Sequence, residues 1–208
     1  MTRTRLLLVP LVARPCLRGG GAGWCLGSLT TPDLDPAWTG ALLAALRTKG
    51  VTAAEVRGFA NAMRSLARQP ALPIGLDASD IGGTGGDASG SLNLSTGAAL
   101  LAAACGLPVV KHGNRSVTSR SGSADVMEQL GIPLQWSAEE LQECLKRHGL
   151  GFLFARQYHP AFRALAKLPE HLARQNTRPI FNLLVQVLNP PRPARPPTAI
   201  CAAGATSR

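Results

Sequence analysis

Apolar positions recur at helical spacing in the first third of the chain. The segment WTGALLAALRTKG carries apolar side chains every three or four residues and ends at Gly50, a typical helix stop. Thr52, with Glu55 three residues later, has the pattern of a capping box and predicts a second helix that ends before Pro70. This pattern predicts a small helical domain over residues 35–72.

Beyond this domain the pattern changes to short apolar runs separated by polar loops. The run GAALLAAACG predicts a helix, and the short, β-branched LPVVK (Leu107–Lys111) predicts a buried parallel strand. Helices are also predicted in ADVMEQLG and, behind the capping-box pair Ser137 and Glu140, in AEELQECLKRHG, while GFLFA (Gly151–Ala155) predicts the next strand. This alternation is typical of an α/β fold with a parallel sheet, which we expect over residues 77–190.

The two ends of the chain lack such periodicity. Basic residues precede the apolar run Leu6–Ala13, as in a signal or transit peptide, but the run is short and contains Pro10. We therefore assign no targeting signal and expect a disordered extension over residues 1–34. The Pro-rich end of the chain predicts a disordered tail over residues 191–208.

Charge is concentrated at these ends. The formal net charge is +10, of which +4 falls in residues 1–30 and +4 in residues 168–208, so that the middle is nearly balanced. A single tyrosine and the lack of interleaved aromatic and basic residues argue against nucleic-acid binding. No apolar run approaches the length of a membrane span, so we expect a cytoplasmic protein without membrane contact.

Five cysteines are scattered along the chain without a CxxC pair. An odd number at irregular spacing argues against a disulfide framework or a zinc site and favours a reducing compartment. Cys105 ends an alanine-rich apolar run, so we expect it to be a buried small side chain.

Two polar loops carry the candidate chemistry. In GGTGGD (Gly82–Asp87) the glycines allow successive backbone N–H groups to converge on an anion, and the next helix would add its free N–H groups. This loop has neither the Walker nor the Rossmann glycine pattern, and taken alone it is equally consistent with a linker. The second loop, KHGNRSVTSRSGSAD (Lys111–Asp125), places cations among hydroxyl and amide side chains directly after a predicted strand. That composition suits phosphate, although a solvated basic loop would have it too.

Together these segments resemble a known family. GTGGD, NLST, KHGNRSVTSRSGSAD, FLFA, YHPA and FNLL occur in the order and spacing of the anthranilate phosphoribosyltransferases of tryptophan biosynthesis, over about residues 37–190. The resemblance implies a nucleoside phosphorylase/phosphoribosyltransferase type of fold. It also implies transfer of the 5-phosphoribosyl group of phosphoribosyl pyrophosphate (PRPP) to the amine of anthranilate, with Mg²⁺ as the cofactor and pyrophosphate as the leaving group.

The resemblance also assigns roles to residues. Those that would bind PRPP are Gly83, Gly86, Asp87, Ser91, Asn93, Leu94, Ser95, Thr96, Lys111, His112, Gly113, Asn114, Arg115, Ser116, Val117, Thr118, Ser119 and Ser123. Those that would bind anthranilate are Gly83, His112 and Asn114, and Ser95 would also ligate Mg²⁺. No catalytic side chain is expected, because stabilising the departing pyrophosphate leaves a reactive ribose that needs only a positioned amine.

The chain departs from the family pattern in three places. Pro169 stands where the family has an arginine that contacts the anthranilate carboxylate, and Arg174 or Arg178 could substitute for it. Val185-Gln186 replaces a Gly-Pro pair near the acceptor. The family's later Asp-Glu pair, which binds Mg²⁺, would lie beyond residue 208, so the sequence reads as a C-terminally truncated member.

Two alternatives stay open on the sequence alone. The chain could be a non-catalytic remnant that retains part of the ribose-phosphate site. It could also be a relative of the pyrimidine nucleoside phosphorylases, although these carry a different second loop. The resemblance further suggests a homodimer formed through the helical domain.

Overall fold

The computed structural model describes residues 21–30, 36–82, 92–116, 121–165, 184 and 188–191. In chain order its elements are α1 (Gly21–Leu29), α2 (Pro36–Lys49), α3 (Ala53–Ser65), α4 (Leu94–Ala104), β1 (Val109–Gly113), α5 (Ser123–Gln129), α6 (Ala138–His148), β2 (Leu150–Phe154), α7 (Ala155–Tyr158) and α8 (Pro160–Leu165). Most of the predicted N-terminal extension and nearly all of the predicted C-terminal tail lie outside the described residues.

The chain divides into two compact units. The first comprises residues 1–67 and 159–184, and the second comprises residues 68–158 and 185–208. The sequence predicts one uninterrupted α/β segment over 77–190, whereas the structure groups residues 159–184 with the helical unit. Short segments such as α8 carry no signal that tells which core they join, so their assignment depends on tertiary packing.

The helical unit contains one helix more than predicted before residue 67. Helix α1 lies within the segment expected to be disordered, and for residues 21–29 that expectation is wrong. Ala22, Cys25 and Leu26 are all buried, and their spacing of three and four residues places them on one helical face. The glycines around these residues obscure the pattern in the sequence.

Helices α1 and α3 approach closely at a glycine. A Cβ atom added at Gly58 would lie 2.7 Å from the Cβ of Ala22, so only glycine fits there without a shift. The predicted capping box of α3 is confirmed, since Thr52 Oγ1 accepts from the N–H of Glu55 and Glu55 Oε2 accepts from the N–H of Thr52. Lys49 Nζ lies 2.7 Å from Glu55 Oε1 and neutralises this fully buried carboxylate.

The second unit contains the predicted parallel pair of strands. β1 and β2 pair in register from Val109 opposite Leu150 to Gly113 opposite Phe154, which confirms the parallel α/β assignment. Val110 N donates to Ser79 O at 2.9 Å, so the backbone at Ser79 extends the sheet on the other edge of β1. The sequence analysis did not predict this third pairing, because a single bridge leaves no periodicity.

Helices cover both faces of this small sheet. On one face α6 packs Leu141 and Leu145 against Val110 and Leu153, while α4 and α5 contribute to two further clusters that include Val109 and Phe152. Both strands are buried throughout, as expected for parallel strands. The described residues contain no helix that is long and apolar enough to cross a membrane.

Cys105 is exposed, and the expectation that it is buried is wrong. Helix α4 buries Thr96, Ala99 and Ala103, a face that recurs every three or four residues. Cys105 is the C-cap residue two positions beyond Ala103 and falls off this face. The apolar run is therefore longer than the buried face of the helix.

Candidate functional site

The two polar loops meet at the start of α4. Asn93 Nδ2 donates to Ser121 Oγ at 2.8 Å, with a longer contact of 3.4 Å to the Ser121 carbonyl oxygen. Asn93 ends the glycine-rich loop and Ser121 belongs to the loop that follows β1. Both loops therefore converge beyond the carboxyl end of a parallel strand, where ligands of α/β sheets are bound.

Lys111 joins β1 to the base of the glycine-rich loop. Its side chain is buried, and Nζ donates to the carbonyl oxygen of Ile81 at 2.6 Å. Burial lowers the pKa of Lys111 to about 8, and the nearby charge of Asp80 partly opposes this effect. A cation held in a dry position at the base of this loop favours a bound anion.

Asp80 and Asn189 form a buried polar layer next to Lys111, and the sequence analysis gave neither a role. Asp80 Oδ1 accepts from the backbone N–H of His112 at 3.2 Å, and Asn189 Nδ2 donates to Val110 O at 2.7 Å. Burial raises the pKa of Asp80, against the opposing effects of the Asn189 amide, the His112 N–H and the Lys111 charge. The sequence signal that could have found Asp80 is an acidic residue directly before the glycine-rich loop.

Asp125 forms hydrogen bonds to both described ends of the second loop, on either side of residues 117–120. One of its carboxylate oxygens accepts from Ser116 N at 3.1 Å and from Gly122 N at 2.8 Å, and the other accepts from Arg115 Nη1 at 2.9 Å. Burial raises the pKa of Asp125, but the bonds from Gly122, Ser116 and Arg115 outweigh burial and lower it overall. The carboxylate thus bridges the residues on either side of 117–120.

Gly122 lets these ends come together. A Cβ atom at this position would lie 2.6 Å from the carbonyl carbon of Arg115 and 2.7 Å from the carbonyl oxygen of Asn114. Gly113 has the same constraint, since a Cβ there would overlap the hydroxyl of Ser123 and lie 2.8 Å from the Phe152 ring. Gly122 is required by close approach of the backbone and Gly113 by close approach of side chains, and neither has a positive φ.

Arg115 is engaged by two carboxylates of α5. Its guanidinium donates to Asp125 and, through both terminal nitrogens, to Glu128 at 2.8 and 2.9 Å. The bonds to Glu128 and Asp125 raise the pKa of Arg115 above its ordinary value. In this arrangement Arg115 holds the loop to α5, and its expected contact with PRPP stays a prediction.

The first turn of α4 offers hydroxyl groups at the place where the loops meet. Thr96 is fully buried, and its Oγ1 has no hydrogen-bond partner among the described residues. Ser95 is half-buried, whereas the side chain of Leu94 is exposed and its N–H donates to Leu92 O at 2.7 Å. The first turn of α4 thus carries a half-buried and a buried hydroxyl, and their expected contacts with PRPP, like that of Leu94, stay predictions.

The remaining predicted site residues divide into two groups. His112 is buried in β1, and the carbonyl oxygen of Asn114 accepts from Ser123 Oγ at 3.3 Å, so these three lie together at the end of the strand. The others lie outside the described residues: Gly83, Gly86, Asp87, Ser91, Val117, Thr118 and Ser119. Pro169, Arg174, Arg178 and Val185-Gln186 also lie outside them.

The described residues contain no group of three or more His, Cys, Asp or Glu side chains that could hold a metal ion. This does not conflict with Mg²⁺, which commonly takes one or two protein oxygens and completes its shell with water and substrate phosphates. The half-buried hydroxyl of Ser95, in the first turn of α4, is a suitable single oxygen ligand of this kind. The residues present therefore fit a magnesium ion that arrives with a phosphorylated substrate.

Comparison with known proteins agrees with this geometry. The family description "Glycosyl transferase family, a/b domain" matches residues 76–203, and "Glycosyl transferase family, helical bundle domain" matches residues 17–67. An anthranilate phosphoribosyltransferase of Chlamydia caviae is 47% identical over 156 residues, which cover 75% of this chain and 44% of that protein. One from Saccharopolyspora erythraea is 44% identical over 188 residues and covers 90% and 52%, respectively.

Solved structures show the same relationship. The anthranilate phosphoribosyltransferase of Thermus thermophilus superposes with a TM-score of 0.70 at 39% identity, over 88% of this chain and 55% of that one. The Saccharomyces cerevisiae enzyme in complex with PRPP and Mg superposes with a TM-score of 0.72 at 25% identity, over 90% and 55%. The chain thus spans about half the length of the relatives it matches. With both of its units matched, the chain belongs to the glycosyl transferase family, and its relatives within that family are anthranilate phosphoribosyltransferases.

Proposed function

We propose that the chain binds PRPP between its two polar loops and transfers the 5-phosphoribosyl group to the amine of anthranilate. The observation that carries this proposal is the bond from Asn93 to Ser121, because it joins the two loops, the second of which begins at the buried cation Lys111. A ligand with two separated phosphate groups, such as PRPP, suits two adjoining anion-binding loops. The names of the relatives support anthranilate as the acceptor.

The chemistry needs a stabilised leaving group more than a protein nucleophile. The amine lone pair forms a bond to C1 of the ribose, and the electron pair of the C1–O bond leaves with pyrophosphate. The amine then releases a proton to solvent. Backbone N–H groups at the start of α4, the hydroxyl of Thr96 and the charge of Lys111 would stabilise the negative charge on the departing oxygen.

Mg²⁺ supports the same proposal. When bound, it would supply positive charge to the pyrophosphate, and Ser95 would provide a protein oxygen for it. The Saccharomyces cerevisiae relative was solved with PRPP and Mg, which supports this assignment. We also expect the chain to form a homodimer through its helical domain.

A direct assay tests the proposal. Anthranilate is fluorescent, so its consumption in the presence of PRPP and Mg²⁺ can be followed continuously, with calorimetry to measure PRPP binding separately. We expect Asn114→Ala and Lys111→Met to reduce both turnover and PRPP affinity. Gln142→Ala is the matched control, because this side chain makes one exposed 3.4 Å contact to Ala71 O away from the loops.

The same experiment distinguishes the alternatives. PRPP binding without turnover would favour a chain that retains only the ribose-phosphate site. Phosphorolysis of thymidine would instead favour a nucleoside phosphorylase. If the chain binds no PRPP with Mg²⁺ present, the proposal is wrong.

A further inference from the structure

Three cations with different surroundings lie on or just beyond the two strands, counting only the residues that the structure describes. Lys111 donates to a backbone carbonyl, and Arg115 is paired with two carboxylates. The third, Arg156, lies on α7 directly after β2, and its guanidinium carbon is 5.8 Å from the centre of the Phe154 ring. Among the described residues no ion pair involves Arg156.

Strand register places Arg156 beside the second loop. Gly113 pairs with Phe154, so the residues that follow them leave the sheet at the same edge. The guanidinium carbon of Arg115 lies 6.0 Å from the same Phe154 ring that Arg156 contacts. Arg156 therefore lies close to the segment that includes Asn114, which is one of the expected acceptor contacts.

The electrostatic surroundings of Arg156 favour an added anion. Burial lowers the pKa of Arg156, and the positive charge of Arg115 lowers it further, whereas Asp125 acts in the opposite direction. Asp125 is already occupied by Arg115 and two backbone N–H groups. A half-buried guanidinium without its own carboxylate would be stabilised by a ligand that supplies one.

We infer that Arg156 binds the carboxylate of the aromatic amine acceptor. This inference rests on the proposed function, in which the acceptor is a 2-aminobenzoate. The carboxylate of this acceptor would be stabilised by a paired cation, which an uncharged residue such as Pro169 cannot supply. Arg156 meets that need because a guanidinium pairs with a carboxylate through two parallel hydrogen bonds, and the Phe154 ring limits its orientation.

Acceptor discrimination tests this assignment. Binding of anthranilate and of its uncharged amide, anthranilamide, is measured by fluorescence in the presence of PRPP and Mg²⁺. We expect the unaltered chain to prefer anthranilate, and Arg156→Gln to reduce that preference roughly 10- to 100-fold, the range for a hydrogen-bonded charge pair. Arg156→Lys should keep part of the preference, and PRPP affinity should be unchanged in both variants.

Arg147→Gln is the matched control, because Arg147 pairs with Glu143 on α6 and is largely exposed. Circular dichroism on each variant confirms that it is folded. If Arg156→Gln keeps the full preference, or if Arg174→Gln or Arg178→Gln removes it instead, the inference is overturned while the proposed function stands. If the unaltered chain binds neither PRPP nor anthranilate, the proposed function fails and the inference fails with it.

Discussion

Asn93 and Ser121 are 28 residues apart in the chain, and their side chains form a 2.8 Å hydrogen bond between the two polar loops. This contact turns two segments of ambiguous composition into one candidate site. Because the bond lies at the start of α4, it also fixes the second loop relative to the free N–H groups of that helix. Loop geometry and anion binding should therefore depend on the same pair of side chains.

Asn93→Ala and Ser121→Ala should each weaken PRPP binding by about 10-fold, since each removes one hydrogen bond and leaves its partner unpaired. The double variant should cost less than the sum of the two, with a coupling free energy of about 1 kcal/mol. Calorimetric titration of PRPP into all four chains measures this cycle. Strictly additive effects would show that the two loops bind independently.

Asp125→Asn should destabilise the α/β unit by about 1 to 3 kcal/mol, because its carboxylate accepts from two backbone N–H groups and a guanidinium. Glu128→Gln is the matched comparison, since Glu128 pairs with the same Arg115 but is more exposed. It should cost clearly less than Asp125→Asn, because an exposed ion pair contributes little to stability. Urea unfolding measures both, and equal losses would mean that Asp125 acts only through Arg115.

Stability should also respond to pH through Asp125. Because its folded-state pKa is lowered, the folded protein holds the carboxylate ionised at pH values where the unfolded chain is already protonated. Its contribution is present above the ordinary aspartate pKa and is lost as pH falls through the lowered value. The difference in unfolding free energy between the unaltered chain and Asp125→Asn should therefore shrink on acidification, and a constant difference from pH 7 to pH 3 would contradict this.

The elements that the sequence predicts well are those with strong local signals. The capping boxes at Thr52 and Ser137 and the buried strands around Val110 and Leu153 are all where the patterns place them. Each signal depends on a few neighbouring residues, so it can be recognised without knowing the contacts between distant segments. Strand ends are less certain, and β1 continues to Gly113, two residues beyond the predicted Lys111.

What the sequence missed depends on contacts between distant segments. Asp80 and Asn189 belong to different ends of the second unit, and their shared layer under β1 exists only after folding. Helix α1 was missed because its glycines hide a three-residue buried face that has meaning only against α3. Arg115 shows the same limit, since its pairing with Asp125 and Glu128 could be found only in the structure, while its expected contact with PRPP stays a prediction.

Gly58→Ala should destabilise the helical unit, although alanine is the better helix former. Overpacking against Ala22 at 2.7 Å should cost about 1 to 3 kcal/mol, against a gain of up to about 1 kcal/mol in helix propensity. Gly27→Ala is the control, because a Cβ there meets nothing within 4 Å, and it should be neutral or stabilising. Thermal unfolding measures both variants. The double variant with Ala22→Gly should regain part of the loss, and no regain would place the strain elsewhere.

Because Lys111 titrates, the stability of the folded protein and its affinity for PRPP should change in opposite directions at alkaline pH. The pKa of Lys111 is about 8 in the folded protein against an ordinary value of 10.5, so between these values the unfolded chain binds more protons than the folded one. Stability therefore rises with pH across that window, by an amount on the order of 3 kcal/mol relative to Lys111→Met, which has no proton to lose. PRPP affinity should fall over the same window, because the neutral amine no longer attracts phosphate.

Urea unfolding and PRPP titration from pH 7 to pH 10 separate these responses. In Lys111→Met the PRPP affinity should be weaker at pH 7 and should lose the fall centred near pH 8. The matched control is Lys146→Met, a lysine in the last turn of α6 whose side chain is exposed, and it should follow the unaltered chain. Parallel stability curves for the unaltered chain and Lys111→Met would show that the folded protein keeps Lys111 charged throughout. In that case the Ile81 carbonyl and the charge of Asp80 would stabilise the buried ammonium group, and its deprotonation would not contribute to the change in stability.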